Sequence, residues 1–181
     1  MKFIPLAIPD VILIKPQVFE DSRGFFLESY NARVFSKNGI KDTFVQDNHS
    51  KSAKGAVRGI HYQIPPKAQA KLLRVIRGKV FDVALDIRRN SKSFGKHVSI
   101  ILSAQDKSML YVPPGFAHGY CALEDGTEFI YKVSDFYSPE HERGILWNDP
   151  ALKIPWPKLD TDYLLSSRDQ RQAAFQDAVY F

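Results

Sequence analysis

The segment Lys79-Val80-Phe81-Asp82-Val83-Ala84-Leu85-Asp86-Ile87-Arg88 alternates with a period of two. Phe81, Val83, Leu85 and Ile87 fall on one face, and Asp82, Asp86 and Arg88 on the other, as in a strand. The same alternation recurs at 97–102, through Val98, Ile100 and Leu102. It recurs again at 128–137, where Phe129, Tyr131, Val133, Asp135 and Tyr137 oppose Glu128, Ile130 and Lys132. Just before the first segment, Lys71–Arg77 (KLLRVIR) is rich in residues that favour strands, and Gly78 turns the chain. Short strands separated by turn signals predict an all-β sandwich or barrel rather than alternating βα units.

The composition fits this reading. Of 181 residues, 44% are hydrophobic and 25% charged, which excludes a disordered, collagen-like or coiled-coil chain. Aromatic residues reach 13% and accompany 11 prolines, a mixture that favours short strands and turns over long helices. There is no internal repeat, low-complexity tract or Ser/Gly linker, so residues 1–181 are expected to form a single domain. One cysteine, Cys121, excludes an intrachain disulfide and a thiolate metal cluster. The opening MKFIPLAIPD is too short an apolar run, and too broken by Pro5 and Pro9, for a signal peptide. No stretch approaches the roughly 20 apolar residues of a membrane span. A soluble, cytoplasmic protein without membrane partners is the expectation.

Twenty-five basic residues against 20 acidic ones leave a net charge of +5. The two signs are interspersed rather than gathered into the patch or stripe typical of nucleic-acid binders. A small phosphorylated ligand is therefore favoured over nucleic acid. Helix signals are few. A short helix is expected over 31–38, closed by Gly39. A C-terminal helix is expected from Ser167-Arg168-Asp169-Gln170, which has the Ser-x-x-Gln form of a capping box. Between the last strand and that helix, 147–157 with Pro150, Pro155 and Pro157 should be an extended loop.

Three segments set unusual polar residues among apolar ones. They are Asp21-Ser22-Arg23-Gly24-Phe25-Phe26-Leu27-Glu28, then Gln46-Asp47-Asn48-His49 with Val57-Arg58-Gly59-Ile60-His61-Tyr62-Gln63, and Val112-Pro113-Pro114-Gly115-Phe116-Ala117-His118-Gly119. In order and spacing these, with the late Ser167-Arg168-Asp169-Gln170, resemble the dTDP-4-dehydrorhamnose 3,5-epimerases of the cupin superfamily. The resemblance covers about residues 9–170. It implies a cupin-type jelly-roll β-barrel and a homodimer. It also implies cofactor-free, metal-free inversion at C3 and C5 of dTDP-4-dehydro-6-deoxy-D-glucose.

That chemistry has requirements the residues can meet. A proton beside a ketone is acidic because its loss gives an enolate. Inversion then needs a base on one face, an acid on the other and positive charge at the ketone oxygen. His61 suits the base, because imidazole titrates near neutrality. Asp169, folded back to the ring, would fix its tautomer and stabilise the imidazolium. Tyr131 suits the opposite-face acid, and Lys71 the ketone oxygen. The resemblance implies the same four roles. Plainer readings stand beside them: an interior histidine, a helix-terminal carboxylate and a core tyrosine on the face of Phe129 and Val133. Lys71, sharing parity with Leu73 and Val75, is the hardest to explain without a function.

Arg23, Arg58 and Arg168 are candidates to meet a diphosphate, since guanidinium forks match phosphate oxygens. The family pattern usually has lysine where Arg168 stands. Arg58 and His61 are three apart and would face opposite ways on a regular strand, so Gly59 marks a bulge or Arg58 reaches in from an edge. Phe26 and Tyr137 could stack a thymine, with Glu28, Gln46 and Asn48 as polar partners, and the resemblance adds Glu142 to the substrate-binding set. Core packing accounts for Phe26 as well. His61 and His118 fall where metal-binding cupins have ligands. Gln63 replaces a further histidine, however, and 78–85 offers Asp82 but no glutamate. No metal is expected, and His118 is assigned to the sugar. The competing functions are a single-position epimerase, a 3,4-ketoisomerase, a non-catalytic sugar-nucleotide-binding cupin and a metal-dependent cupin enzyme.

Overall fold

The alternating segment forms a strand whose two faces are both covered. A computed structural model describes residues 1–181. Its strands are β1 (Lys2–Pro5), β2 (Ile12–Lys15), β3 (Val18–Asp21), β4 (Gly24–Leu27), β5 (Gln46–Ser52), β6 (Val57–Gln63) and β7 (Lys71–Arg77). They continue as β8 (Lys79–Asp86), β9 (His97–Ser103), β10 (Met109–Val112), β11 (Phe116–Ala122), β12 (Thr127–Val133) and β13 (Glu142–Gly144). One helix, α1 (Ala32–Lys37), and two 3₁₀ turns, Asp169–Arg171 and Phe175–Asp177, complete the regular structure.

One antiparallel sheet has the order β1-β2-β10-β7-β12-β5, and a second has β13-β6-β11-β8-β9. Strands β3 and β4 form a separate hairpin. The core between the sheets takes Leu73, Val75, Leu110 and Phe129 from the first, and Val80, Ala84, Leu102 and Phe116 from the second. This is the jelly-roll type of barrel expected. The outer face of the first sheet is covered by α1, with Phe35 and Ile40 against Ile14, Leu72 and Met109. The outer face of the second packs Leu85, Ile87 and Ile60 under Leu152 and the C-terminal Phe175 and Phe181.

This double covering explains why the parity of β8 misleads. The apolar face Leu85 and Ile87 lies outside the barrel beneath the C-terminal segment. The face bearing Asp82 and Asp86 shares parity with Val80 and Ala84 and turns into the barrel, and both carboxylates are fully buried. Gly59 does mark a bulge. The register of β6 against β11 slips between His118↔His61 and Tyr120↔Arg58, so Arg58 and His61 share the inner face. At φ +131°, a Cβ on Gly59 would meet Gly119 Cα at 2.5 Å, so side chains are excluded from this crossing.

Two further expectations need correction. Strand β12 stops at Val133 instead of reaching Tyr137. There the backbone turns, and the Asp135 carboxylate accepts from Phe136 N–H and from Lys67 Nζ. The C-terminal helix does not form. Only a single 3₁₀ turn follows Arg168, and Gln172 is extended. The chain is drawn out because Ala173 O accepts from Leu146 N–H and the buried Asp149 carboxylate accepts from Phe175 N–H. The short helix near residue 31 forms as expected, with Asn31 Oδ1 accepting from the amides of Arg33 and Val34. The proline-rich 147–157 is irregular, and Trp156 packs on Phe81 of β8.

Candidate active site

The inner faces of β6, β7, β11 and β12 converge at one end of the barrel. His61 and His118 stand directly opposite each other on β6 and β11. Lys71 opens β7 on the inward parity of Leu73 and Val75, as its position in the sequence implied. Tyr131 on β12 lies between Leu73 and Asn48, so it shares the inner face with the β5 residues Gln46, Asn48 and Ser50.

The C-terminal segment closes over this end and carries Asp169. The Asp169 Oδ1 atom lies 2.6 Å from His61 Nε2. Both atoms are buried. The second oxygen, Oδ2, accepts from Ser166 Oγ at 2.6 Å. Burial opposes ionisation of Asp169, but hydrogen bonds from His61 and Ser166, the His61 charge and the Gly59 amide outweigh it. The carboxyl is held below its usual range.

Lys71 Nζ donates to the His61 carbonyl at 3.3 Å. Burial pushes its ammonium down to about 8, with Glu142 and Asp82 pulling the other way. Burial also raises the Tyr131 phenol, assisted by Tyr120 and Glu142 and opposed by Arg58. His118 Nε2 contacts both oxygens of Asp82, at 2.9 and 3.0 Å, in a fully buried pair. At the rim, Glu142 accepts from Arg168 at 2.7 Å and from Tyr137 Oη at 2.5 Å. The Glu142 hydrogen bond, more than its burial, sets the Arg168 guanidinium, which is raised. Gln46 Nε2 donates to Asn48 Oδ1 at 2.9 Å.

Most residues expected at the site therefore meet. His61, Lys71, Tyr131, Asp169, Arg58, His118 and Arg168 line one cleft. Gln46, Asn48, Tyr137 and Glu142 continue it past His61, Lys71 and Tyr131. Three expected residues lie elsewhere. Arg23 is exposed on the β3–β4 hairpin and paired with Asp21 at 2.6 Å. Phe26 is 69% exposed beside it. Glu28 accepts from Asn31 Nδ2 outside the cleft. Sequence reasoning missed Tyr120, Ser50 and Ser166 in the lining. Tyr120 was within reach, since two residues after His118 on a strand is the same face. No three His, Cys, Asp or Glu side chains converge as a metal site would need; His61 and His118 each face a separate carboxylate.

The family model described as dTDP-4-dehydrorhamnose 3,5-epimerase matches residues 5–177. The chain belongs to this family. It is 56% identical to the dTDP-4-dehydrorhamnose 3,5-epimerase of Pseudomonas aeruginosa over 182 aligned positions, 100% of this chain and 99% of the relative. It is 53% identical to the Shigella flexneri enzyme of the same name over the same shares. Among solved structures, the dTDP-6-deoxy-D-glucose-3,5-epimerase of Legionella pneumophila in complex with dTDP-4-keto-L-rhamnose superposes with a TM-score of 0.94 at 42% identity. It covers 97% of this chain and 93% of its own. A 3'-monoepimerase from Streptomyces bikiniensis in complex with dTDP-quinovose is also similar, with a TM-score of 0.89 at 32% identity over 94% of this chain and 86% of its own. The 3,5-epimerase family fold thus also serves a single-position enzyme.

Proposed function

We infer that the protein inverts C3 and C5 of dTDP-4-dehydro-6-deoxy-D-glucose, giving dTDP-4-dehydro-L-rhamnose for dTDP-L-rhamnose synthesis. The observation that carries the reading is the His61–Asp169 pair set in one cleft with Lys71 and Tyr131. His61 takes the proton beside the ketone, and the electron pair left behind moves to the C4 oxygen as an enolate. Lys71 places positive charge near that oxygen, where a buried cation is worth more than in water. Tyr131 delivers a proton to the opposite face as the enolate pair returns to carbon, and solvent then reprotonates its phenolate and takes the proton from the His61 imidazolium. Asp169 keeps the ring oriented and offsets its charge. No metal is assigned a role, because each candidate histidine is already engaged with a carboxylate of its own.

Arg58 and Arg168 are assigned to the diphosphate, Tyr137 to the base, and His118, Gln46, Asn48 and Glu142 to polar contacts with the substrate. Arg23, Phe26 and Glu28 are assigned to the same site through a homodimer. Their hairpin has no third strand, and Phe19, Phe25 and Phe26 are each more than half exposed. A second copy covering this aromatic surface would bring the three residues to a neighbouring cleft. The test is a pair of variants followed in deuterium oxide. His61→Asn should stop both inversion and deuterium uptake, whereas Tyr131→Phe should still exchange but invert little. Full inversion by either variant would overturn its assigned role.

A further inference from the structure

We propose that Ser166 is a positioning residue for the base: it claims one oxygen of Asp169 and so reserves the other for His61. This rests on the reading of His61 as base given above. Ser166 Oγ donates to Asp169 Oδ2 at 2.6 Å and accepts from the Asp169 amide at 3.1 Å, closing a small reciprocal ring. Asp169 Oδ1 then faces His61 Nε2 at 2.6 Å. Without the hydroxyl, nothing in the short turn fixes the carboxylate. The torsion that sets the plane of the carboxylate is broad, so rotation about it would carry the facing oxygen off the line to His61 Nε2, and Asp169 sits on a 3₁₀ turn of three residues.

The backbone around the turn is held without Ser166. Upstream, Val57 N–H donates to Leu164 O and Leu164 N–H to Gly55 O, both at 2.9 Å. Downstream, Ala173 O accepts from Leu146 N–H at 2.8 Å, and Phe175 N–H is tied to the buried Asp149. The hydroxyl is therefore dispensable for anchoring the segment but needed for orienting the carboxylate. Its hydrogen bond is one of the interactions that hold Asp169 in the ionised form, so its loss should raise that carboxyl.

The proposal is tested by comparing Ser166→Ala with Ser166→Thr, which keeps the hydroxyl. Ser166→Ala should lower kcat roughly 10- to 100-fold, the range expected for a hydrogen bond to a charged group. KM should stay within about twofold and thermal stability close to wild type, because the segment remains anchored. Ser166→Thr should recover most of the rate. Carboxyl ¹³C NMR of the ligand-free protein should show Asp169 titrating at higher pH in Ser166→Ala and near its wild-type position in Ser166→Thr. An unchanged rate with an unchanged Asp169 titration would overturn the proposal. So would a slow Ser166→Ala protein that Thr does not rescue and whose Asp169 titration has not moved, since that pattern marks a purely structural loss. A fully active His61→Asn control would instead refute the base reading, while the substrate-free titration would still show whether Ser166 orders the carboxylate.

Discussion

Burial draws the Lys71 ammonium down to about 8, against the pull of Glu142 and Asp82, so its charge is held only part-way into the alkaline range. The ammonium is present below that value and is lost as pH rises through it. If this charge stabilises the enolate, kcat should fall on the alkaline side with a midpoint near 8. Lys71→Met should lose about 10²-fold in kcat, the typical cost of removing one charge-stabilising donor, and should lack that alkaline fall. A variant retaining the wild-type limb would show that another group sets it. Asp169 behaves in the opposite sense. Its carboxyl lies below the usual range, so the anion persists through neutrality and is lost only in acid. Asp169→Asn keeps the shape without the charge and should cost about 10²-fold or more, read as loss of both inversion and exchange. Much at this level was legible. Lys71 stood out because an apolar strand face seldom accepts a lysine, and the bulge at Gly59 that turns Arg58 inward was one of two alternatives the spacing left open. Ser166 was not legible for a specific reason: Ser167-x-x-Gln170 has the more familiar helix-start form, while the hydroxyl one residue earlier closes onto Asp169.

The strands were readable from alternation, but alternation does not say which side is the core. In β8 the residues counted as polar turn inward, where Asp82 meets His118 and Asp86 meets a loop. Burial opposes ionisation of Asp86, yet bonds from Arg88, Ser91 and Ser93 prevail and hold its carboxyl down to about 2. Such a depressed carboxyl stabilises the fold above the ordinary carboxylate range, and the contribution fades as pH falls through about 2. Asp86→Ala should lower stability by about 1–3 kcal/mol at neutral pH in urea unfolding, with little change in the site chemistry. A neutral-pH loss near zero would mean that the Arg88 loop is held by its other contacts, such as Arg88 over the Phe116 ring. The C-terminal segment shows the reverse limit of local signals. Its capping pattern favours a helix, but Asp149 and the backbone at Leu146 draw it out along the barrel. Tertiary pairing overrides local propensity there.

For the molecule as a whole, one chain brings His61, Lys71, Tyr131 and Asp169 together but leaves Arg23, Phe26 and Glu28 outside that cleft. Their place in the sequence pattern could not reveal this, because a motif gives order along the chain and not which side chains share a cleft. Light scattering should report a dimer, and Phe26→Ala should raise KM more than it lowers kcat. A fully active monomer at low concentration would contradict the homodimer. The central claim, inversion at both carbons beside the ketone, is tested most directly by proton NMR of the wild-type reaction. The measurement follows the dTDP-4-keto-6-deoxy sugar in deuterium oxide, carbon by carbon. The account predicts deuterium at C3 and at C5 with the configuration inverted at each. Deuterium and inversion at one carbon alone, migration of the keto group to C3, or tight binding with no exchange would contradict it.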